Sequence, residues 1–164
     1  MTLAGINALD REAFVDAIGW VFEDSPWIAE RAWHGRPFES VERLHETMSA
    51  VMYAASAERQ LVLLRAHPDL GARLKMSAAS SGEQQGAGLD RLTPEMIARL
   101  SELNTAYRTK FGFPFLFAVK GSSAAQILEA LEQRLACDRP IEFEEALRQV
   151  ARIAWFRLDS IVTR

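Results

Sequence analysis

PIEFEEALRQVARIAWFRLDSI, Pro140 to Ile161, is the stretch on which the reading of the fold turns. Phe143, Leu147, Val150, Ala154, Leu158 and Ile161 recur at intervals of three and four residues, which aligns them along one side of an α-helix. Pro140 stands where a helix can begin, because the N–H it lacks is one that a first helical turn leaves unbonded. Such a stripe on so long a segment needs an apolar neighbour, and the chain supplies several helices to provide it.

Outward from this segment the same period repeats. After Thr93-Pro94-Glu95, the residues Ile97, Leu100, Leu103, Tyr107 and Phe111 mark a helix that Thr93 can cap and Gly112 ends. Ser123-Ala-Ala-Gln126 has the form of a capping box opening a helix over Ala124–Ala136. Ser25-Pro26 starts a short helix toward Trp33, and further helices are expected near Ala8–Phe22, Val41–Ala54 and Ala57–Ala66. No alternating strand pattern and no Asn-Gly or Asp-Gly hairpin signal occurs. The expectation is an all-α protein, one compact multi-helix domain over residues 1–164. One irregular connector is expected around 112–121, where Pro114 pushes Phe113 out of the helical region. SAASSGEQQGAG, Ser77 to Gly88, reads as a loop over the helical core.

Composition narrows the function. The 19 basic and 22 acidic residues are interspersed, and a formal charge of −3 gives no basic footprint for nucleic acid or anionic lipid. One cysteine, Cys137, permits neither an internal disulfide nor a thiolate metal site. No apolar run approaches the roughly 20 residues that span a bilayer. The first residues lack a basic region followed by a long apolar one, and the last four, IVTR, are not a peroxisomal address. A cytoplasmic protein, with no nucleic-acid or membrane partner, is the expectation.

Four places can carry chemistry. In RAHPDLG, Arg65 to Gly71, a leucine-rich helix runs into His67-Pro68. The residue before a proline is driven from the α region, so His67 must leave the helix, and the proline restricts its backbone. An imidazole held that way suits a general acid or base. It equally suits a helix terminus at which His67 meets the last carbonyls and Asp69 caps the next turn.

Ser80-x-x-Glu83 matches a capping box, and Gln84 beside it adds an amide that both donates and accepts. Together the three can grip a polar, amide-rich ligand. Phe115, Leu116, Phe117, Ala118 and Val119 form an apolar, non-helical run whose peptide groups need partners. A urea-like ligand would serve, as would plain packing of the phenylalanines. Arg157 interrupts the final apolar stripe and needs an anionic partner, a route to the surface or an internal carboxylate. His34 and His45 lie among charged residues and receive no role.

Three of these segments, in order, carry a resemblance. HPDLG at 67–71, SxxEQxxAGL at 80–89 and LNxAYxxKFGFPF at 103–115 resemble the 2-oxo-4-hydroxy-4-carboxy-5-ureidoimidazoline (OHCU) decarboxylase family of urate breakdown. The resemblance covers essentially the whole chain. It implies an all-helical homodimer that converts OHCU to (S)-allantoin with no metal and no organic cofactor. By position it implies His67 as catalytic proton donor and Glu83 as catalytic carboxylate. Pro68, Ser80, Gln84, Phe115, Leu116, Phe117, Ala118 and Val119 match substrate-contacting positions, and Arg157 in FRL matches a C-terminal arginine. Leu116 and Phe117 are bulkier than the residues of some members, which matters little if the backbone makes the contacts.

The chemistry suits those residues. Electrons from the broken C–C bond can enter the adjacent imine of the substrate, so no external electron sink is needed, and a rigid acid can then protonate one face. Two other readings stay open: a non-enzymatic helical interaction module, and a lyase or hydrolase acting on a related ureido compound.

Overall fold

The computed structural model describes residues 1–70 and 92–163. Their helices are α1 (Leu3–Ala8), α2 (Arg11–Ile18), α3 (Pro26–Ala32), α4 (Val41–Tyr53), α5 (Ala57–Ala66), α6 (Pro94–Phe111), α7 (Ala124–Leu135) and α8 (Arg139–Ile161). Two single-turn 3₁₀ helices, Gly19–Val21 and Trp33–Gly35, extend α2 and α3. Among the described residues the β-type pairing is a single isolated bridge, Thr2 with Thr163. The all-α expectation holds, and it holds because the apolar spacing is helical along nearly the whole chain. The helices fall into two compact units, Met1–Ala66 with Val150–Arg164, and His67–Gln149.

In the first unit the helix expected near Ala8–Phe22 is α2 with its 3₁₀ turn, Arg11–Val21, and α1 is a further helix ahead of it. Leu9 is extended, and Asp10 caps α2 by accepting from the Ala13 N–H at 2.9 Å. The corner between them is stabilised from outside both helices. Arg36 lies over the Trp33 ring and donates to the carbonyls of Asn7 and Leu9 at 2.9 and 2.6 Å, and the Trp33 Nε1 donates to the same Leu9 carbonyl at 3.2 Å, so the end of α1 is supplied with partners. The Asn7 amide in turn exchanges two 2.9 Å hydrogen bonds with the backbone of Phe38. Ile6, Phe14, Ile18, Ile28, Leu44, Met48 and Met52 are buried in the core of this unit. His45, which received no role in the sequence, is half-buried: its Nε2 lies 2.7 Å from the Ala151 carbonyl and its ring meets Trp155 edge-on.

In the second unit α6 begins as its sequence dictates. Thr93 Oγ1 accepts from the Met96 N–H at 3.2 Å, and Pro94 occupies the first turn. The helix ends at Gly112, whose φ of 79° lies in the left-handed region that glycine enters without a Cβ penalty. α7 opens with the expected capping box, Ser123 and Gln126 each bonding the other's backbone N–H. Between these helices residues 114–119 carry no regular structure. Phe115 of this run joins Phe111 and Phe113 in a cluster around Tyr107, whose ring centroid lies 4.6 Å from Phe111, 6.0 Å from Phe113 and 5.4 Å from Phe115, and Phe117 stacks on Phe115. The α6 residues Leu100, Leu103, Tyr107 and Phe111 form the buried stripe on which this cluster is built.

Candidate functional site

α5 stops at Ala66, and His67 is the first residue outside it, as the following proline requires. The imidazole is not displayed on the surface: His67 is only 3% exposed. Two residues on, Asp69 forms an ion pair with Arg108 of α6. Both partners are substantially exposed, so the pair is worth about 0–1 kcal/mol in stability. Its consequence is positional, since it ties the His67-Pro68-Asp69 corner to the last turn of α6. Asp69 therefore faces a neighbouring helix; the turn it was expected to cap lies outside the described residues. Ser80, Glu83 and Gln84 lie outside the described residues.

The Phe115–Val119 run is fastened from one side by two side chains of other helices. Arg134 Nη1 donates to the Leu116 carbonyl at 2.5 Å, and Gln149 Oε1 accepts from the Ala118 N–H at 2.9 Å. In an extended chain the peptide groups of residues two apart point the same way, and those between them point the other. With Leu116 and Ala118 bonded toward α7 and α8, Phe117 turns its N–H and C=O away from them. Two of the main-chain groups that the sequence left in need of partners, the Leu116 C=O and the Ala118 N–H, are thus satisfied within the protein.

Arg134 is itself held. Its Nε donates to Glu142 Oε1 at 2.6 Å, and Nη2 lies 2.5 Å from the same oxygen as an ion-pair contact without hydrogen-bond alignment. Its guanidinium stacks over Phe115 at 4.6 Å. Tyr107 donates its hydroxyl proton to that same carboxylate oxygen. Burial pushes the Tyr107 pKa far above its usual value, and the bond to Glu142 raises it further against the opposing pull of Arg134, so the phenol remains a donor. Glu142 is 1% exposed; a carboxylate so buried persists only where charge and hydrogen bonds satisfy it, and here Arg134 and Tyr107 do so.

A hollow of about 400 Å³ adjoins Phe117 on the α7 and α8 side, lined by Arg134, Cys137, Glu142, Glu145 and Gln149 among others. His67 does not line it. Its carboxylates, Glu142, Glu144 and Glu145, outnumber its arginines, Arg134 and Arg148, which makes it a poor seat for an anion.

Arg157 has internal partners. Its Nη2 donates to Glu23 Oε2 at 2.7 Å, and Nη1 donates to the Val21 and Trp20 carbonyls at 3.1 and 3.3 Å. Of the three alternatives left by the sequence, an internal carboxylate is the one the structure supplies.

Several residues of this machinery escaped the sequence reading. Arg134, Glu142 and Gln149 received no role in the sequence. A signal existed for Glu142, which precedes Ala146, Val150, Ala154 and Leu158 at steps of four and so falls on the buried stripe of α8. Asn104, one turn before Tyr107 and Arg108, was quoted within a motif but given no role. Both atoms of its amide are buried without a hydrogen-bond partner among the described residues. An unmatched buried polar group costs about 1–3 kcal/mol, so the arrangement calls for a reason.

Comparison with known proteins bears on this geometry. A family model described as OHCU decarboxylase matches residues 7–159. The chain is 47% identical over 161 residues to a 2-oxo-4-hydroxy-4-carboxy-5-ureidoimidazoline decarboxylase of Halalkalicoccus jeotgali, covering 98% of this chain and 92% of that protein. It is 43% identical to the uric acid degradation bifunctional protein PucL of Bacillus subtilis, covering 99% of this chain but 33% of that longer protein. Among solved structures, a crystal structure of (S)-allantoin synthase superposes with a TM-score of 0.83 at 31% identity, over 99% of this chain and 54% of that one. An OHCU decarboxylase crystallised in the presence of (S)-allantoin shares the fold, with a TM-score of 0.68 at 21% identity over 82% of this chain and 89% of that one. With the family model spanning nearly all of its helices, the chain belongs to the OHCU decarboxylase family.

Proposed function

We propose that this protein decarboxylates 2-oxo-4-hydroxy-4-carboxy-5-ureidoimidazoline and protonates the product on one face, giving (S)-allantoin in urate degradation. The observation that carries the reading is the role of α6. Through Arg108 it holds the His67-Pro68-Asp69 corner, and through Tyr107, Glu142 and Arg134 it holds the Leu116 carbonyl. One helix thus anchors both the histidine corner and the Phe115–Val119 run, two of the places at which the resemblance puts substrate contacts. A non-enzymatic interaction module has no need of an imidazole buried at such a junction.

The bond to the carboxyl carbon breaks and carbon dioxide leaves. The electron pair forms a C=C bond to the ureido-bearing carbon, and the former imine nitrogen takes up a proton. The resulting enol loses its hydroxyl proton and gains one at the ureido-bearing carbon, for a net uptake of one proton from the anionic substrate. His67 is the donor to that carbon, and Pro68 restricts the backbone behind it. A donor aimed at one face is what stereospecific protonation demands. In this reading Glu83 orients or polarises His67, and Ser80, Pro68, Gln84 and the outward peptide groups of Phe115–Val119 read the ring and ureido amides.

Arg157 enters as a grip on the anionic substrate, in competition with Glu23. A grip that held the departing carboxylate more tightly than the transition state would slow the reaction. Work as a homodimer in the cytoplasm, with no cofactor, belongs to the same reading and rests on the family resemblance.

The test is to generate OHCU freshly from urate with upstream enzymes, add the protein, and follow circular dichroism of the allantoin. A dichroic signal growing faster than the spontaneous reaction supports the assignment. Racemic product at the uncatalysed rate defeats it. Glu83→Ala separates a catalytic role from a cap, since a lost cap costs about 1 kcal/mol of stability and leaves turnover alone.

A further inference from the structure

We propose that Asn104 is a substrate-reading residue, its carboxamide pairing with a neighbouring N–H and C=O on the edge of a planar ureido or ring-amide ligand. The inference rests on the decarboxylase reading and assigns a further contact within it. Residues three and four apart on a helix are neighbours, so Asn104 has Tyr107 on one flank and Arg108 on the other. Tyr107 leads to the Phe115 segment, with ring centroids 5.4 Å apart, and Arg108 leads to the histidine corner through Asp69. Asn104 therefore stands on the strip of α6 between the two anchored segments.

Its neighbours have assigned work. The Tyr107 hydroxyl is engaged by Glu142 and the Arg108 guanidinium by Asp69. The Asn104 amide alone of these three groups has its polar atoms buried and unmatched among the described residues. Because Oδ1 and Nδ2 are both unmatched, rotating the amide by half a turn leaves the same deficit, and the conclusion does not depend on which atom is oxygen. A carboxamide offers a donor and an acceptor side by side, the complement of a urea or lactam edge. The pattern fits a site completed by its ligand.

Asn104→Leu tests this, because it keeps similar volume and removes both polar atoms. Three quantities are measured on each folded protein: the melting temperature, KM for fresh OHCU, and Kd for (S)-allantoin by calorimetry. The expected result is a rise of about tenfold in KM and Kd, as losing one or two neutral hydrogen bonds implies, with a melting temperature unchanged or higher. Asn104→Ala takes its place if the leucine variant does not fold. A rise below about threefold overturns the proposal. So does a larger rise accompanied by a lower melting temperature, which marks the amide as an internal prop. An inactive wild-type protein would defeat the decarboxylase reading instead, whereas an active wild type with an indifferent Asn104 variant defeats this inference alone.

Discussion

Arg134 and Glu142 form a buried ion pair, Nε to Oε1 at 2.6 Å, and from that pair the arginine reaches the carbonyl of Leu116. A charge pair in the interior thereby fixes the irregular run that the functional reading needs in one place. The pair is weak evidence for stability in itself, since its attraction offsets a large desolvation cost. Breaking it is another matter, because one charge then stays buried alone.

Arg134→Met is expected to destabilise the protein by about 3–5 kcal/mol, leaving Glu142 uncompensated and the Leu116 carbonyl without its donor. The double variant Arg134→Met, Glu142→Leu should recover much of that loss. Urea denaturation of the two variants beside wild type measures both values. Recovery of stability without recovery of turnover would assign the pair to positioning of the connector.

Gln149→Leu removes the acceptor of the Ala118 N–H and the other tie on the connector. The expected cost is about 1–3 kcal/mol for an unmatched buried donor. If the connector reads substrate, KM should rise as well, because its outward peptide groups lose their fixed direction. Steady-state kinetics on the folded variant decides: an unchanged KM would remove the connector from substrate recognition.

Tyr107 gives a pH dependence with a definite sign. Its pKa is raised in the folded state, so the neutral phenol is the form that folding favours. Its contribution is fully present below the unfolded value of about 10, and is lost as pH climbs toward the raised folded value. Wild-type stability should fall above pH about 10 by up to about 1.4 kcal/mol per pH unit more than that of Tyr107→Phe. Chemical denaturation of both proteins from pH 9 to about 11.5 checks it; parallel curves would contradict it.

The scaffold was largely legible in the sequence because helix signals are local. Thr93-Pro94, Gly112, the Ser123–Gln126 box and the apolar stripes state their helices within a few residues of themselves. α1 and the corner at Leu9 received no expectation, because what holds that corner, Arg36 on the carbonyls of Asn7 and Leu9, lies about 30 residues away. The same distinction runs through the site. His67-Pro68 announces a histidine outside a helix, and the structure places it there, buried. What fastens the 115–119 run is tertiary: Arg134 and Gln149 come from other helices, and no local pattern names them. Ser80, Glu83 and Gln84 lie outside the described residues, so their place in the site stays a proposal from the motif.

Arg157 and Glu23 offer a separate check. The pair is partly buried, and Arg157 also serves the Trp20 and Val21 carbonyls. Arg157→Met should cost about 1–3 kcal/mol, or a fall of about 2–10 °C in melting temperature at this chain length. Glu23→Gln keeps a hydrogen-bond acceptor and should cost less. If Arg157 also grips the anionic substrate, Glu23→Gln frees it to do so more firmly and lowers KM; an unchanged KM leaves Arg157 a purely structural role.

The central claim is that His67 delivers the proton that sets the configuration of allantoin. The most direct measurement is the circular dichroism of product formed from fresh OHCU by His67→Ala, on protein whose far-ultraviolet spectrum matches wild type. The account predicts a folded helical protein that yields racemic allantoin at the uncatalysed rate, beside a wild type that yields the S enantiomer rapidly. Full-rate formation of a single enantiomer by His67→Ala would contradict it.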